Sequence, residues 1–456
     1  MRWRGSVPSS RSAPPSGRGG DAMVEPREPK RILVACRGWI ARRLLASYRS
    51  VGIETVAVFS EPDAEASWLE DADFDAYLNG RTVPETYLSP DRIVGAAMDA
   101  GCEAIHPGIG PLSGHLGLYE QATQSNLGII GAPPDRILGI VDRRILFGQA
   151  RRLKIPVIPS SGVIAEGADG IGEAAKLSLP LFVKAVCGSS LQRIDAFREL
   201  AQALERIRDE AEAHSGERAV FLEGAVRGAR RLSVVVVADH HGTCVHLGHL
   251  DASPSPPDRG WVQLSGADGA DGADGAEALQ TELGAMSLAL AHAVGWRGVG
   301  VVRWLLASGR PWLESFSPCL PAGLELIEAI QGIDLIDAQH RALIGERLAW
   351  EQPAPIADRC GVQVQLLAGP GEGTLETLEL PPEGSGIQLT PGADPGQRCG
   401  AETDPVLAKL TSVGPDRSGA LRRMDEALAQ VRIEGIQCNL EPLRACISAA
   451  LQDAGG

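Results

Sequence analysis

Residues 31–60, RILVACRGWIARRLLASYRSVGIETVAVFS, run from a short apolar segment through a glycine turn into a stretch with helical apolar spacing closed by Gly52, then into a second apolar segment. Two short buried strands flanking an amphipathic helix hide the helix's apolar face only when the strands lie parallel and the helix crosses over them. The block therefore commits this region to an open α/β layer. The loop CRGW is not G-x-G-x-x-G, so a dinucleotide site has no support. A further helix over 89–101 (SPDRIVGAAMDAG), the strand EAIHPGIG at 103–110 and the strand-to-turn passage NLGIIGAPP at 126–134 extend the layer to about residue 142.

At 456 residues the chain exceeds one ordinary core, and several lobes are expected. A formal charge of -15 argues against sequence-independent nucleic-acid binding, which depends on releasing phosphate counterions. The nine cysteines contain no C-x-x-C pair, so neither a zinc cage nor a secreted disulfide framework is expected. No segment approaches the roughly 20 apolar residues that cross a bilayer. A protein of the cytoplasm, with no membrane partner, is the expectation. Residues 1–29 are rich in Arg, Ser, Pro and Gly and read as a disordered leader. A start assigned upstream of Met23 explains that composition, and a transit peptide is the alternative.

Beyond an expected helix at 142–154 (DRRILFGQARRLK) the pattern turns β-rich. LFVKAV at 181–186 is expected to pair with AVFLEGAV at 219–226, and residues 230–251 form a hairpin turning at Asp239-His240-His241-Gly242. Strand alternation sends His246 and His249 to opposite faces, which favours solvated hairpin histidines over a metal site. The tract GADGADGADGA at 266–276 reads as a flexible surface insertion, since a period of three builds no closed oxygen cage for calcium. In VVRWLLASGRPWLESF, 301–316, a two-residue turn at Ser308-Gly309 sets Arg303 opposite Glu314, a cross-strand ion pair between apolar layers. Two helices, SGALRRMDEALAQVR and LEPLRACISAALQDA, close a C-terminal lobe.

Five colinear blocks carry a resemblance: 31–64; 103–137, with HPGIGPLSGHLG; 295–314, GWRGVGVVRWLLASGRPWLE; 331–346, QGIDLIDAQHRALIGE; and 431–440, VRIEGIQCNL. Together they resemble biotin carboxylase, the ATP-grasp subunit of biotin-dependent carboxylases, from about residue 30 to the C-terminus. The resemblance implies an α/β protein of three parts. After the leader 1–29 come an N-terminal open α/β domain (30–142), an ATP-grasp domain (143–344, carrying the 266–276 insertion) and a C-terminal α+β domain (345–456). It also implies a chemistry, phosphorylation of bicarbonate by ATP followed by carboxylation of biotin. That chemistry needs cations over the phosphates, a glycine-rich cover, carboxylates on Mg²⁺ and a basic bicarbonate pocket.

On this resemblance Lys184 matches the phosphate-binding strand lysine. Glu223 opens the adenine-contacting hinge that Val226 continues, and Arg143 stands for a phosphate lysine. Glu314 matches the second metal-binding glutamate. Other positions depart from the pattern. The glycine-rich cover is reduced to VCGSSLQ, Arg303 stands where the first metal-binding glutamate belongs, and Phe316 replaces an asparagine. Pro318, Leu320 and Ala322 occupy the three functional positions of the bicarbonate segment, Gly260 the place of a basic-loop lysine and Gln388 that of a biotin-site arginine. A guanidinium at 303 repels Mg²⁺ and neutralises Glu314, and a short Ser-bearing turn clamps phosphate poorly.

The expectation is a pseudoenzyme without catalytic residues, a subunit or regulator of a biotin-dependent acyl-CoA carboxylase, with residual ATP binding at Arg143, Lys184, Glu223 and Val226. Mg²⁺ is expected at Glu314 only if that residue escapes neutralisation. Partners implied are a true biotin carboxylase, the biotin carrier protein and the carboxyltransferase, in a homo- or heterodimer. No Met-Lys dipeptide occurs, so no covalently attached biotin is expected. The alternatives are a divergent ATP-dependent ligase acting on biotin or another acceptor, and a nucleotide sensor.

Overall fold

The structure is a computed structural model that describes residues 28–188, 190–253, 262–265, 272–348, 350–353, 359–382 and 386–455. The calls made above on residues 1–27, on Gly260 and on 266–271 fall outside the described residues. Strands β1 (Arg31–Val34), β2 (Glu54–Phe59), β3 (Phe74–Tyr77), β4 (Ala104–His106) and β5 (Gly128–Ile129) form one sheet in the order β3-β2-β1-β4-β5. Every pairing in it is parallel. Helix Gly38–Ser50 buries Trp39, Ile40, Leu44, Leu45 and Tyr48 against it, as the apolar spacing requires. Gly52, at φ +77°, ends that helix where a side chain would be strained, and its N–H donates to Arg49 O at 3.1 Å.

His106, at the end of β4, ties this layer to the rest of the chain. Its Nδ1 accepts the Gly108 N–H at 2.9 Å, so Nε2 carries the proton donated to Gln339 Oε1 at 3.1 Å. Burial pushes the imidazole pKa down to about 4. A depressed histidine adds stability in full above its unfolded pKa near 6.5 and loses it as the pH falls towards 4, about 3 kcal/mol when fully expressed. Asp404 has the opposite sign. Burial raises its carboxyl to about 6, so its favourable contribution is complete below about 3.8 and lost as the pH rises through 6. Urea midpoints are therefore expected to fall less between pH 7.5 and 4.5 in His106→Gln than in the parent. In Asp404→Asn the gain over the parent is expected at pH 8 and absent near pH 4. Parallel curves for all three proteins would contradict both assignments.

A second sheet carries β6 (Ser160–Ile164), β7 (Leu181–Ala185), β8 (Leu191–Ile194) and β9 (Val220–Gly224) in the order β6-β9-β7-β8. Its β7–β9 pair is the antiparallel pairing expected from the sequence. The largest sheet has eight strands. β10 (Arg230–Ala238), β11 (Cys244–Asp251), β12 (Val262–Ser265), β13 (Gly298–Ala307), β14 (Arg310–Ser317) and β15 (Cys360–Leu367) are joined by Val406–Gly414 and Ile387–Pro391, in the order β14-β13-β10-β11-β12-β15 and then those two. Its centre is the valine run of β10. Val234 and Val236 enter the core shared with Leu283 and Leu290 of helix Gly272–Val294, while Val235 and Val237 enter the core under Leu324 and Ile327. Because β12 pairs with β15, hydrogen bonds run continuously from the region of β10–β14 into the C-terminal region. Among the described residues no helix is long and apolar enough to cross a membrane.

Three expectations are corrected. The Ser308-Gly309 turn forms as read, with φ +50° and +71°, and pairs Ala307 with Arg310. A bulge then intervenes: Trp304 faces Leu313 but Arg303 faces Ser315, leaving Glu314 as the extra residue. Among the described residues no ion pair joins Arg303 to Glu314. The cause is apolar spacing, since Leu313 and Phe316 both belong on the core side and stand an odd three positions apart. The second bulge follows the same rule. Val245, Leu247 and Leu250 share one core, so β11 absorbs an extra residue near Gly248, at φ +82°. His246 and His249 consequently lie opposite Val236 and Val234, on one face rather than two. His240 and His241 are exposed at the turn while His249 is buried. Finally, the helix expected to begin after the GAD tract begins within it, at Gly272, as helix Gly272–Val294.

Candidate functional site

Helix Arg143–Arg152 starts at a cap made by its own sequence: the Asp142 carboxylate accepts the Arg144 N–H at 2.8 Å. That cap fixes Arg143 at the mouth of a cleft of about 290 Å³, bounded also by Gly188, by the loop around Ser113 and by the end of the β13–β14 hairpin. The Arg143 backbone N–H donates to Val186 O at 3.2 Å, and its guanidinium stands 5.9 Å from the Phe221 ring centre. Its Nη1 is buried with no hydrogen-bond acceptor. Across the cleft Arg303, exposed, donates from Nη1 to Ser317 Oγ. The wall between them is apolar. Phe316 packs on Trp296 with ring centres 5.0 Å apart, and Pro318, Leu320 and Ala322 complete that side. Burial pushes the Cys319 thiol above its ordinary value, so it too is neutral there.

The other retained positions follow one face of the small sheet. Phe221 of β9 lies directly opposite Lys184 of β7, and Glu223 lies opposite Phe182. Lys184 and Glu223 are buried and joined as an ion pair, with Lys184 Nζ 5.5 Å from the Phe182 ring centre. One carboxylate oxygen, Glu223 Oε2, is buried without a partner. Phe182 and Val226 both line the next depression, about 600 Å³, beside Arg193 and Arg227. Arg143, Phe221, Lys184, Glu223, Phe182 and Val226 are thus strung along a single track, bringing together all four positions that the sequence nominated for a nucleotide. An unpartnered donor at one end and an unpartnered acceptor in the middle fit a ligand carrying both phosphate oxygens and an amino group.

Divalent metal does not fit. No Asp or Glu lines the cleft among the described residues, and hard cations are held by oxygens, chiefly carboxylate. Glu314, displaced by the bulge, is half-buried and outside that lining. Gln388 is exposed on the edge strand, opposite Thr411, and likewise lies outside it.

One arrangement was not anticipated. Behind Ala322, Lys409 is fully buried, ion-paired with Glu325 and donating to Ala322 O at 2.8 Å, with Nζ 3.6 Å from the Trp39 ring centre. Gln363 Nε2 donates to Glu325 Oε2 at 2.9 Å and to Thr411 Oγ1 at 2.8 Å. The signal was present as a lysine inside the apolar run VLAKL, the same signature that singled out Lys184 in LFVKAV.

Comparisons with known proteins agree with this architecture. Family models match in three consecutive segments: the biotin carboxylase N-terminal domain over 28–137, the carbamoyl-phosphate synthase L chain ATP binding domain over 142–350, and the biotin carboxylase C-terminal domain over 365–455. The biotin carboxylase of Halalkalibacterium halodurans is 30% identical over 438 residues, covering 93% of this chain and 95% of that one. The mitochondrial methylcrotonoyl-CoA carboxylase subunit alpha of Dictyostelium discoideum is 28% identical over 91% of this chain, which spans 60% of that subunit. Among solved structures, the biotin carboxylase domain of Hydrogenobacter thermophilus 2-oxoglutarate carboxylase, in complex with MgADP, ADP and bicarbonate, superposes with a TM-score of 0.83. Its identity is 25%, over 92% of this chain and 94% of that one.

Proposed function

Because this chain belongs to the biotin carboxylase family, we propose that it is a member that has lost the bicarbonate chemistry and acts as a non-catalytic subunit or regulator of a biotin-dependent acyl-CoA carboxylase in the cytoplasm. The observation that carries the reading is the cleft itself: two guanidinia, no carboxylate, and Phe316, Pro318, Leu320 and Ala322 where the reaction needs metal and bicarbonate ligands. A fold and its docking surfaces depend on buried apolar packing, which survives such changes. The chemistry depends on a few charges, which does not.

The domain limits that go with this reading are 30–142, 143–344 and 345–456. Biotin reaches the assembly on another protein, and the partners are an intact biotin carboxylase subunit, the carrier protein and the carboxyltransferase. The kind of partner is supported by relatives such as the methylcrotonoyl-CoA carboxylase subunit. The Lys184–Glu223 track and the free Nη1 of Arg143 favour a second role within the same assembly, sensing nucleotide without turnover.

Sedimentation of the chain mixed with the biotin carboxylase and carrier subunits of its own organism tests the assignment. A heteromeric species is expected, and a chain that sediments apart from every carboxylase subunit would overturn it. For the sensing role, ATP at about 100 times its dissociation constant is expected to stabilise the chain by about 2.7 kcal/mol in thermal unfolding. An unmoved melting curve at millimolar ATP would remove that role.

A further inference from the structure

The same cleft is lined as a binding site of a different kind. Its polar side chains are hydrogen-bond donors and hydroxyls: Arg143, whose Nη1 is buried and unpartnered, the exposed Arg303, and Ser113, Ser315 and Ser317. The remainder is alkyl and aromatic, with Ile140, Val141 and Leu146 on one side and Phe316 and Leu320 on the other. Bicarbonate or free phosphate presents oxygen in every direction and leaves this wall unsatisfied. An anion with one charged end does not. The charged end meets a guanidinium nitrogen, Nη1, that has no hydrogen-bond acceptor among the described residues, and the body replaces water on the apolar wall.

The cleft also has somewhere to send that body. A second cavity, about 360 Å³ and lined by Trp39, Ile40, Leu88 and Leu112 together with Arg37 and Asp404, shares Ile109, Pro111 and Ala322 with the first. Ala322, with only a methyl group, stands at the boundary. We propose that the cleft binds an organic monoanion with an aliphatic body, a short-chain carboxylate, seated on Arg143 without any divalent cation. The proposal rests on the reading that metal-dependent bicarbonate chemistry has been lost from this site.

Calorimetric titration of the full chain with acetate, butyrate, hexanoate, bicarbonate and inorganic phosphate, each in EDTA and in Mg²⁺, is the test. Hexanoate is expected to bind equally in EDTA and Mg²⁺, and more tightly than acetate by about three- to fourfold per added methylene. Bicarbonate and phosphate are expected to bind at least tenfold more weakly than hexanoate. Arg143→Gln should weaken hexanoate at least tenfold, and Arg303→Gln, at an exposed position where folding is not at stake, should weaken it severalfold. Affinity that needs Mg²⁺, that ignores chain length, or that is unchanged in both variants would overturn the proposal. Bicarbonate-dependent ATP turnover would overturn the underlying reading, whereas a turnover-free protein that ignores hexanoate would overturn this inference alone.

Discussion

ATP hydrolysis by the purified chain is expected to be the same with and without bicarbonate and free biotin, at any Mg²⁺ concentration. Moving a phosphoryl group onto bicarbonate spreads charge over several oxygens, and the barrier falls only if fixed cations and a held metal ion meet that charge. Here the cleft has Arg143 and Arg303 but no lining carboxylate to hold the metal. Leu320 and Ala322 offer bicarbonate nothing. Removing one such contact from a working site costs about 10²–10³-fold, and several are missing together, so no bicarbonate-stimulated phosphate release should emerge above background. Turnover that rises with bicarbonate and disappears in Lys184→Ala would make the chain a working ligase.

Glu325→Ala is expected to lower the free energy of unfolding by about 3–5 kcal/mol, the usual consequence of removing one member of a buried ion pair. Lys409 is fully buried, and burial already lowers its pKa against the opposing pull of Glu325. Without that carboxylate the ammonium loses its closest counter-charge and a charge-assisted hydrogen bond, which the Ala322 carbonyl and the Trp39 ring do not replace. Replacing both members with apolar residues, Glu325→Leu with Lys409→Met, should recover most of the loss, because an apolar pair of similar volume needs no compensation. Urea midpoints at constant slope measure both changes. A loss under about 1 kcal/mol for the single variant would show that the pair is not stabilised as a unit.

Much of the N-terminal layer could be read directly because local pattern and tertiary outcome agree there. RILVA and ETVAV are short, buried from Ile32 and Thr55 onward, and the helix between them has one apolar face. The β7–β9 pair and both hairpin turns were legible for the same reason. Strand faces were not, wherever an odd apolar spacing forced a bulge. Leu313 and Phe316, like Leu247 and Leu250, stand three positions apart, and burying both ends on one side displaces everything between. That is how Arg303 came to face Ser315 while Glu314 moved out of reach. Had those spacings been weighed against simple alternation, both bulges would have been foreseeable. The Lys409–Glu325 pair could not be foreseen, since its members stand 84 positions apart and meet only through the tertiary packing of helix Leu324–Gln331 on the strand Val406–Gly414.

Crystals of the chain soaked with Mn²⁺ and a non-hydrolysable ATP analogue, recorded at the manganese absorption edge, put the central claim to its most direct test. The anomalous map should show no manganese bonded to Glu314, with the Arg303 guanidinium still hydrogen-bonded to Ser317. A manganese peak within bonding distance of the Glu314 carboxylate, with Arg303 moved off Ser317, would mean that the site still holds its metal.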